Sequence, residues 1–184
     1  AARAGLDLVS YLASVFAKVS WGRWLALMIP YSLLFFLIDS LIVWRVINWF
    51  NTRVAYADIL PIRGSSYILS ILNEQVGKGA MALYLNRREG IPGWEVGSSM
   101  LFIMFCEFYY LLTWACVGWL IGRDTLPKEF GLIPAIAAVA LLFLVFFLLF
   151  FRGHFAAGAR LRERPVFKAF REARLWQYVA VIVL

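Results

Sequence analysis

The chain has 184 residues, of which 63% are hydrophobic and 16% charged, with a formal net charge of +7. Soluble domains run at roughly 45–50% apolar and about 25% charged residues, so a soluble globular class is excluded. The positive excess does not point to nucleic acid, because most of it sits in one stretch, residues 152–174, directly after an apolar run.

Residues 5–20, "GLDLVSYLASVFAKVS", place Leu8, Leu12, Val15, Phe16 and Val19 at helical spacing. This reads as an amphipathic helix at the interface or as the tail of an upstream span. The first clear transmembrane helix covers 24–50, with Trp21 and Trp24 at one end and Trp44 and Trp49 at the other. Trp is enriched where bilayer meets water, and Pro30 inside the span is a tolerated kink. Asp39 lies two thirds along it, with Lys78 or Arg45 as candidate partners. Arg45, beside Trp44, is expected to snorkel to the interface.

The connection 51–97 carries an apolar middle, 66–86, broken by "NEQVGKGA". Pro61, Gly64, Pro92 and Gly93 bracket that middle. Helices on either side of Gly77-Lys78-Gly79 would reach roughly half a bilayer each, which suits a re-entrant hairpin turning at Gly77 and Gly79. Backbone that leaves the helix at membrane depth survives only when buried in protein or lining a wet cavity. Asn73, Glu74 and Lys78 would then form a polar site, with Glu74 and Lys78 spaced for a helical ion pair. The other reading is a pair of amphipathic helices lying on the cytoplasmic surface. A phosphate-binding P-loop is excluded, because its glycine spacing is absent and Gly79 follows the lysine.

A second span covers 98–121 and contains Glu107, and a third covers 130–151, with no charge in 22 residues from Phe130 to Phe151. A carboxylate inside a span costs several kcal/mol and must face a partner or a cavity. Glu107 is therefore a site candidate or a packing hydrogen-bond acceptor. Between the two spans, "GRDTLPKE" is short and charge-balanced and faces away from the cytoplasm. The basic loop 152–174 holds seven basic residues against two acidic ones, and 51–97 holds five against four. Both therefore face the cytoplasm by the positive-inside rule. Arg160, Arg162, Arg164, Lys168 and Arg171 are candidate contacts for anionic lipid. Residues 175–184 begin a further span that is too short to cross. With no initiating Met and this cut-off run, a fragment of a longer membrane protein is expected.

Cys106 and Cys116 stand ten residues apart on one helix, about 15 Å along its axis, and cannot pair. His154 is the single histidine, so neither a metal nor another cofactor is expected. No spacing of Ser, His and Asp, and no carboxylate pair, supports catalysis.

The stretch "ILPIRGSSYILSILNEQVGKGAMALYLNRREGIPGWEVGSSMLFIMFCEFYYLL" resembles the membrane domain of the lysylphosphatidylglycerol synthase and flippase-like family, over about residues 25–120. The resemblance rests on Asn73 before a Gly-rich turn, the basic pair Arg87 and Arg88, the loop "EGIPGWEV" and Glu107. The chain departs from the family after the turn, with Gly79, Ala80 and Ala82 where an acidic and a basic residue are usual. The resemblance implies binding or translocation of an anionic or glycan-linked lipid. A non-catalytic accessory subunit of a larger membrane complex is the alternative. Membrane lipids, a larger complex or a homo-oligomer are the expected partners, and the bacterial inner membrane the expected location.

The sequence thus predicts an all-α polytopic membrane protein with three to four spans and a re-entrant hairpin.

Overall fold

The structure is a computed structural model that describes residues 8–72, 74–154 and 159–184. No strand occurs among the described residues, and the protein is an all-α membrane protein. Among the described residues three helices are long and apolar enough to cross a bilayer: Trp21–Phe50, Gly93–Gly122 and Lys128–Phe151. The chain falls into two compact units, Ala1–Asp39 and Ser40–Leu184.

In the first unit, helix α1 (Leu8–Ala17) ends before Trp21, where α2 (Trp21–Phe50) starts. Phe16 stacks on the Trp21 ring at 5.6 Å. The part of α2 that belongs here presents Leu27, Ile29, Tyr31, Leu33 and Leu34 as exposed apolar side chains, the surface a lipid-facing helix carries.

The second unit starts in the last turns of α2, which bury Ser40, Val43, Val46, Ile47 and Phe50. The chain then folds back on α2. Trp44 Nε1 donates to the Val54 carbonyl at 2.8 Å, and Asn48 Nδ2 donates to the same oxygen at 3.2 Å. Next come α3 (Tyr56–Leu72) and α4 (Glu74–Glu89), packed on each other as a helical hairpin. Gly90, at φ 69°, stops α4 in the left-handed conformation that glycine adopts without penalty. Asn86 Nδ2 donates to Ile91 O at 2.7 Å, and α5 (Gly93–Gly122) follows Pro92. After a 3₁₀ turn (Lys128–Leu132), α6 (Ile133–Phe151) runs to Gly153, again with positive φ. The basic segment holds the short helices α7 (Ala159–Arg162) and α8 (Lys168–Glu172), and α9 (Leu175–Val183) closes the chain.

Three expectations change. Gly77 and Gly79 are not the turn: α4 runs through both, and α3 ends at Leu72. Gly77 is instead a contact glycine. A Cβ there would collide with Ser70 Oγ and stand 2.7 Å from the Ser66 carbonyl oxygen, so only glycine lets α4 approach α3 this closely. Pro61 and Gly64 do not bracket a helix but lie inside α3, which starts ten residues earlier than the expected 66. The helix that follows begins at Gly93 rather than 98, because the left-handed Gly90 and extended Pro92 already supply the break.

The core of this unit is aromatic. Phe102, fully buried, packs at ring-centroid distances of 5.3 Å to Phe50, 4.8 Å to Tyr178 and 5.7 Å to Phe170. Phe105 stacks on Phe147 at 4.5 Å, tying α5 to α6. Tyr109 Oη donates to the Ala140 carbonyl at 2.8 Å, where the small alanine admits the phenol. The rest of α6 is nearly bare, as a lipid-facing span is.

Candidate functional site

Two polar assemblies stand out against this apolar frame. The first is the α3–α4 hairpin. At its open end, Arg88 Nη2 donates to Asp58 Oδ1 at 2.9 Å, and Nη1 donates to Tyr84 Oη at 3.0 Å. Arg88 Nε lies 3.3 Å from Glu89 Oε1. The Tyr84 hydroxyl and then the Asp58 carboxylate push the guanidinium pKa further up, so the residue stays charged. Arg63 lies over the Tyr67 ring at 5.0 Å. Farther from this end, Ile68, Ile71 and Val76 are exposed, Ile71 by 83%.

Between the two helices is an open groove of ≈ 260 Å³ lined by Pro61, Ile62, Leu69, Ala80 and Tyr84 with Ser65 and Ser66. The serine hydroxyls are turned back into their own helix. Ser65 Oγ donates to Pro61 O and Ser66 Oγ to Ile62 O, both at 2.9 Å. Ser70 Oγ donates to Ser66 O at 2.8 Å. This i−4 back-bonding consumes the serine hydroxyl protons and leaves a cleft lined mostly by carbon.

The second assembly joins the two connections expected on one side of the membrane. Lys168 Nζ meets Glu95 Oε2, the Ala169 N–H donates to Ser98 Oγ at 2.9 Å, and Ser99 Oγ donates to Asn51 Oδ1 at 2.5 Å. The end of α2, the first turns of α5 and helix α8 therefore meet at one end of this unit. Glu95 stands in the first turn of α5, where the helix dipole favours an anion.

Of the residues singled out in the sequence, Asn73 lies outside the described residues, as do the side chains of Glu74 and Lys78; the backbones of the last two open α4. Glu107 occupies an exposed position on α5, and Asp39 is half-buried on α2. Arg45 is exposed with its guanidinium 4.7 Å from the Trp44 ring centroid. The five basic candidates divide. Arg160 and Arg164 are exposed. Lys168 is occupied by Glu95, and Arg162 Nη1 donates to Phe150 O at 3.0 Å. Arg171 reaches back to Arg162 O at 3.4 Å.

Sequence reasoning missed Asp58, Tyr84, Glu95 and Ser98. Asp58 and Arg88 are 30 positions apart, and no local spacing signals that pair. Tyr84 and Arg88, four apart on one helix, were open to discovery by the i,i+4 rule. Among the described residues no group of His, Cys, Asp and Glu is arranged to hold a metal. Comparison with protein-family models, curated proteins and solved structures gave no match.

Proposed function

We propose that this membrane protein binds, and moves, an anionic or glycan-linked lipid, and that the α3–α4 hairpin re-enters the bilayer as its lipid-contacting element. The observation that carries this reading is the exposed aliphatic surface of the hairpin beyond its charged open end. Asp58, Arg87, Arg88 and Glu89 gather at the open end, whereas Ile68, Ile71 and Val76 are exposed toward the turn. A helix of 16 or 17 residues spans about 25 Å, so a tilted hairpin with its charged groups at headgroup level carries the turn well into a hydrocarbon core of about 30 Å without crossing it. Continuous helices on both sides of the turn satisfy their own backbone groups, as lipid demands.

In this reading Asn73, Glu74 and Lys78 at the turn meet the lipid, and the resemblance to the flippase-like family supplies the lipid class. The segments 51–97 and 152–174 face the cytoplasm of a bacterial inner membrane, where exposed Arg160 and Arg164 meet anionic headgroups. The test is lipid retention: Glu74→Gln and Lys78→Ala are expected to lose co-purifying phosphatidylglycerol, read by native mass spectrometry, with helical content unchanged. Wild-type retention in both removes the polar site.

One observation favours a second reading, an accessory subunit of a larger complex. Glu107 lies on an exposed face of α5 beside exposed Phe108, Tyr110 and Leu111. A face of a span that exposes aromatic and apolar side chains together suits contact with another protein as well as with lipid. Co-purification with a larger assembly at fixed stoichiometry, abolished by Glu107→Leu, is the result this reading expects.

A further inference from the structure

We infer that the groove between α3 and α4 seats one acyl chain of a membrane glycerophospholipid. The inference deepens the proposal above and rests on the hairpin being the lipid-contacting element.

Three observations lead to this occupant. The cleft's lining is carbon-rich, and Ser65 and Ser66 have spent their hydroxyl protons on the Pro61 and Ile62 carbonyls. Along the serine-lined part of the cleft a sugar or phosphate would lose water without gaining a hydroxyl donor, whereas an alkyl chain loses nothing polar. The size fits as well: ≈ 260 Å³ falls below the roughly 300–1,000 Å³ of sites that enclose a drug-sized ligand. That leaves room for part of one chain and not for a whole two-chain lipid. Finally, the groove has a polar end. Tyr84 lines it and holds Arg88, which is bound to Asp58. A chain lying in the groove therefore has its apolar length beside Leu69 and Ala80 and its ester end near the Arg88 cluster, the order in which a phospholipid crosses from hydrocarbon to headgroup.

Gly77 sets the geometry of this seat. Its missing side chain lets α4 close on Ser66 and Ser70, and Ser66 lines the groove.

The experiment uses the full chain in nanodiscs containing phosphatidylglycerol with a mid-chain diazirine. After illumination, the labelled peptides are mapped by mass spectrometry. Labelling at Leu69 and Tyr84 is expected to exceed that at Leu142, an exposed apolar residue of α6 that samples bulk lipid. Excess unlabelled phosphatidylglycerol should compete, and glycerol phosphate, which lacks chains, should not. Ser65→Phe fills the groove from an exposed position and should reduce Leu69 labelling to the level of Leu142, with helical content unchanged. Ala80→Leu should do the same from the facing helix.

Groove labelling no higher than that of α6, or labelling untouched by Ser65→Phe, overturns the inference. Failure here is separable from failure of the polar site. Lipid retention that stays sensitive to Glu74→Gln while the groove is unlabelled removes the acyl seat alone. Groove labelling that persists while both turn variants retain lipid normally removes the turn site and keeps the seat.

Discussion

Lys168 Nζ lies 2.5 Å from Glu95 Oε2, joining the basic segment to the first turn of α5 across 73 positions of sequence. Both side chains are about one quarter exposed. This lies between an exposed pair, worth about 0.2–1 kcal/mol, and a buried one, whose rupture costs about 3–5 kcal/mol. Glu95→Gln or Lys168→Met is expected to cost about 1–2 kcal/mol of thermal stability in detergent. The exchanged pair Glu95→Lys with Lys168→Glu should recover only part of this, because a cation then faces the positive end of α5. Complete additivity of the two single variants in a double-mutant cycle would show that the contact contributes nothing.

The two glycines of α4 should behave oppositely. A Cβ at Gly77 meets Ser70 and the Ser66 carbonyl, so Gly77→Ala is expected to destabilise the hairpin by about 1–3 kcal/mol. At Gly79 nothing lies within 4 Å, and Gly79→Ala should be neutral or stabilising by about 0.5–1 kcal/mol through helix propensity. Thermal unfolding followed by fluorescence checks both. Equal losses at the two positions would restore the glycines as a turn.

Phe102 is the centre of the aromatic core, touching α2, α8 and α9 through Phe50, Phe170 and Tyr178. Phe102→Ala is expected to cost about 3–5 kcal/mol, the range for emptying a packed aromatic site. Its neighbour Leu101 is exposed, and Leu101→Ala should change stability by less than about 0.5 kcal/mol. A thermal-shift assay in one detergent separates the pair, and matching shifts would place the core elsewhere.

Tyr109→Phe removes the hydrogen bond to Ala140 and keeps the ring. Bonds between helices in lipid are worth about 0.6 kcal/mol on average, so a small loss of that order is expected in an unfolding titration.

The three spans were legible because hydropathy is a sum over some 20 residues and tolerates local exceptions. Residues 130–151 needed nothing more than the absence of charge, and the helix there ends at Phe151. The hairpin was legible as a helical pair, but its turn was misplaced. Gly77 and Gly79 carry the local signature of a break, and that signature cannot distinguish a glycine that bends the chain from one that admits a neighbouring helix. The difference lies with Ser66 and Ser70 on α3, seven or more positions away. Pro61 misled as well: it lies at the sixth position of α3, inside the helix, where a proline gives up a backbone bond and ordinarily marks a boundary. The polar contacts Asp58–Arg88, Ser98–Ala169 and Glu95–Lys168 stayed hidden because each spans 30 or more positions. Lys168 was therefore placed among the lipid contacts, although the fold turns it toward Glu95.

The depth of the hairpin turn tests the central claim most directly. Nitroxide labels at Ile71 and Val76, near the turn, and at Arg63 and Arg87, toward the open end, can be compared in liposomes by their collision rates with oxygen and with a water-soluble nickel chelate. A re-entrant hairpin predicts labels at 71 and 76 that oxygen relaxes and nickel does not, with the reverse order at 63 and 87. Nickel accessibility equal at all four positions would contradict it and lay both helices on the membrane surface.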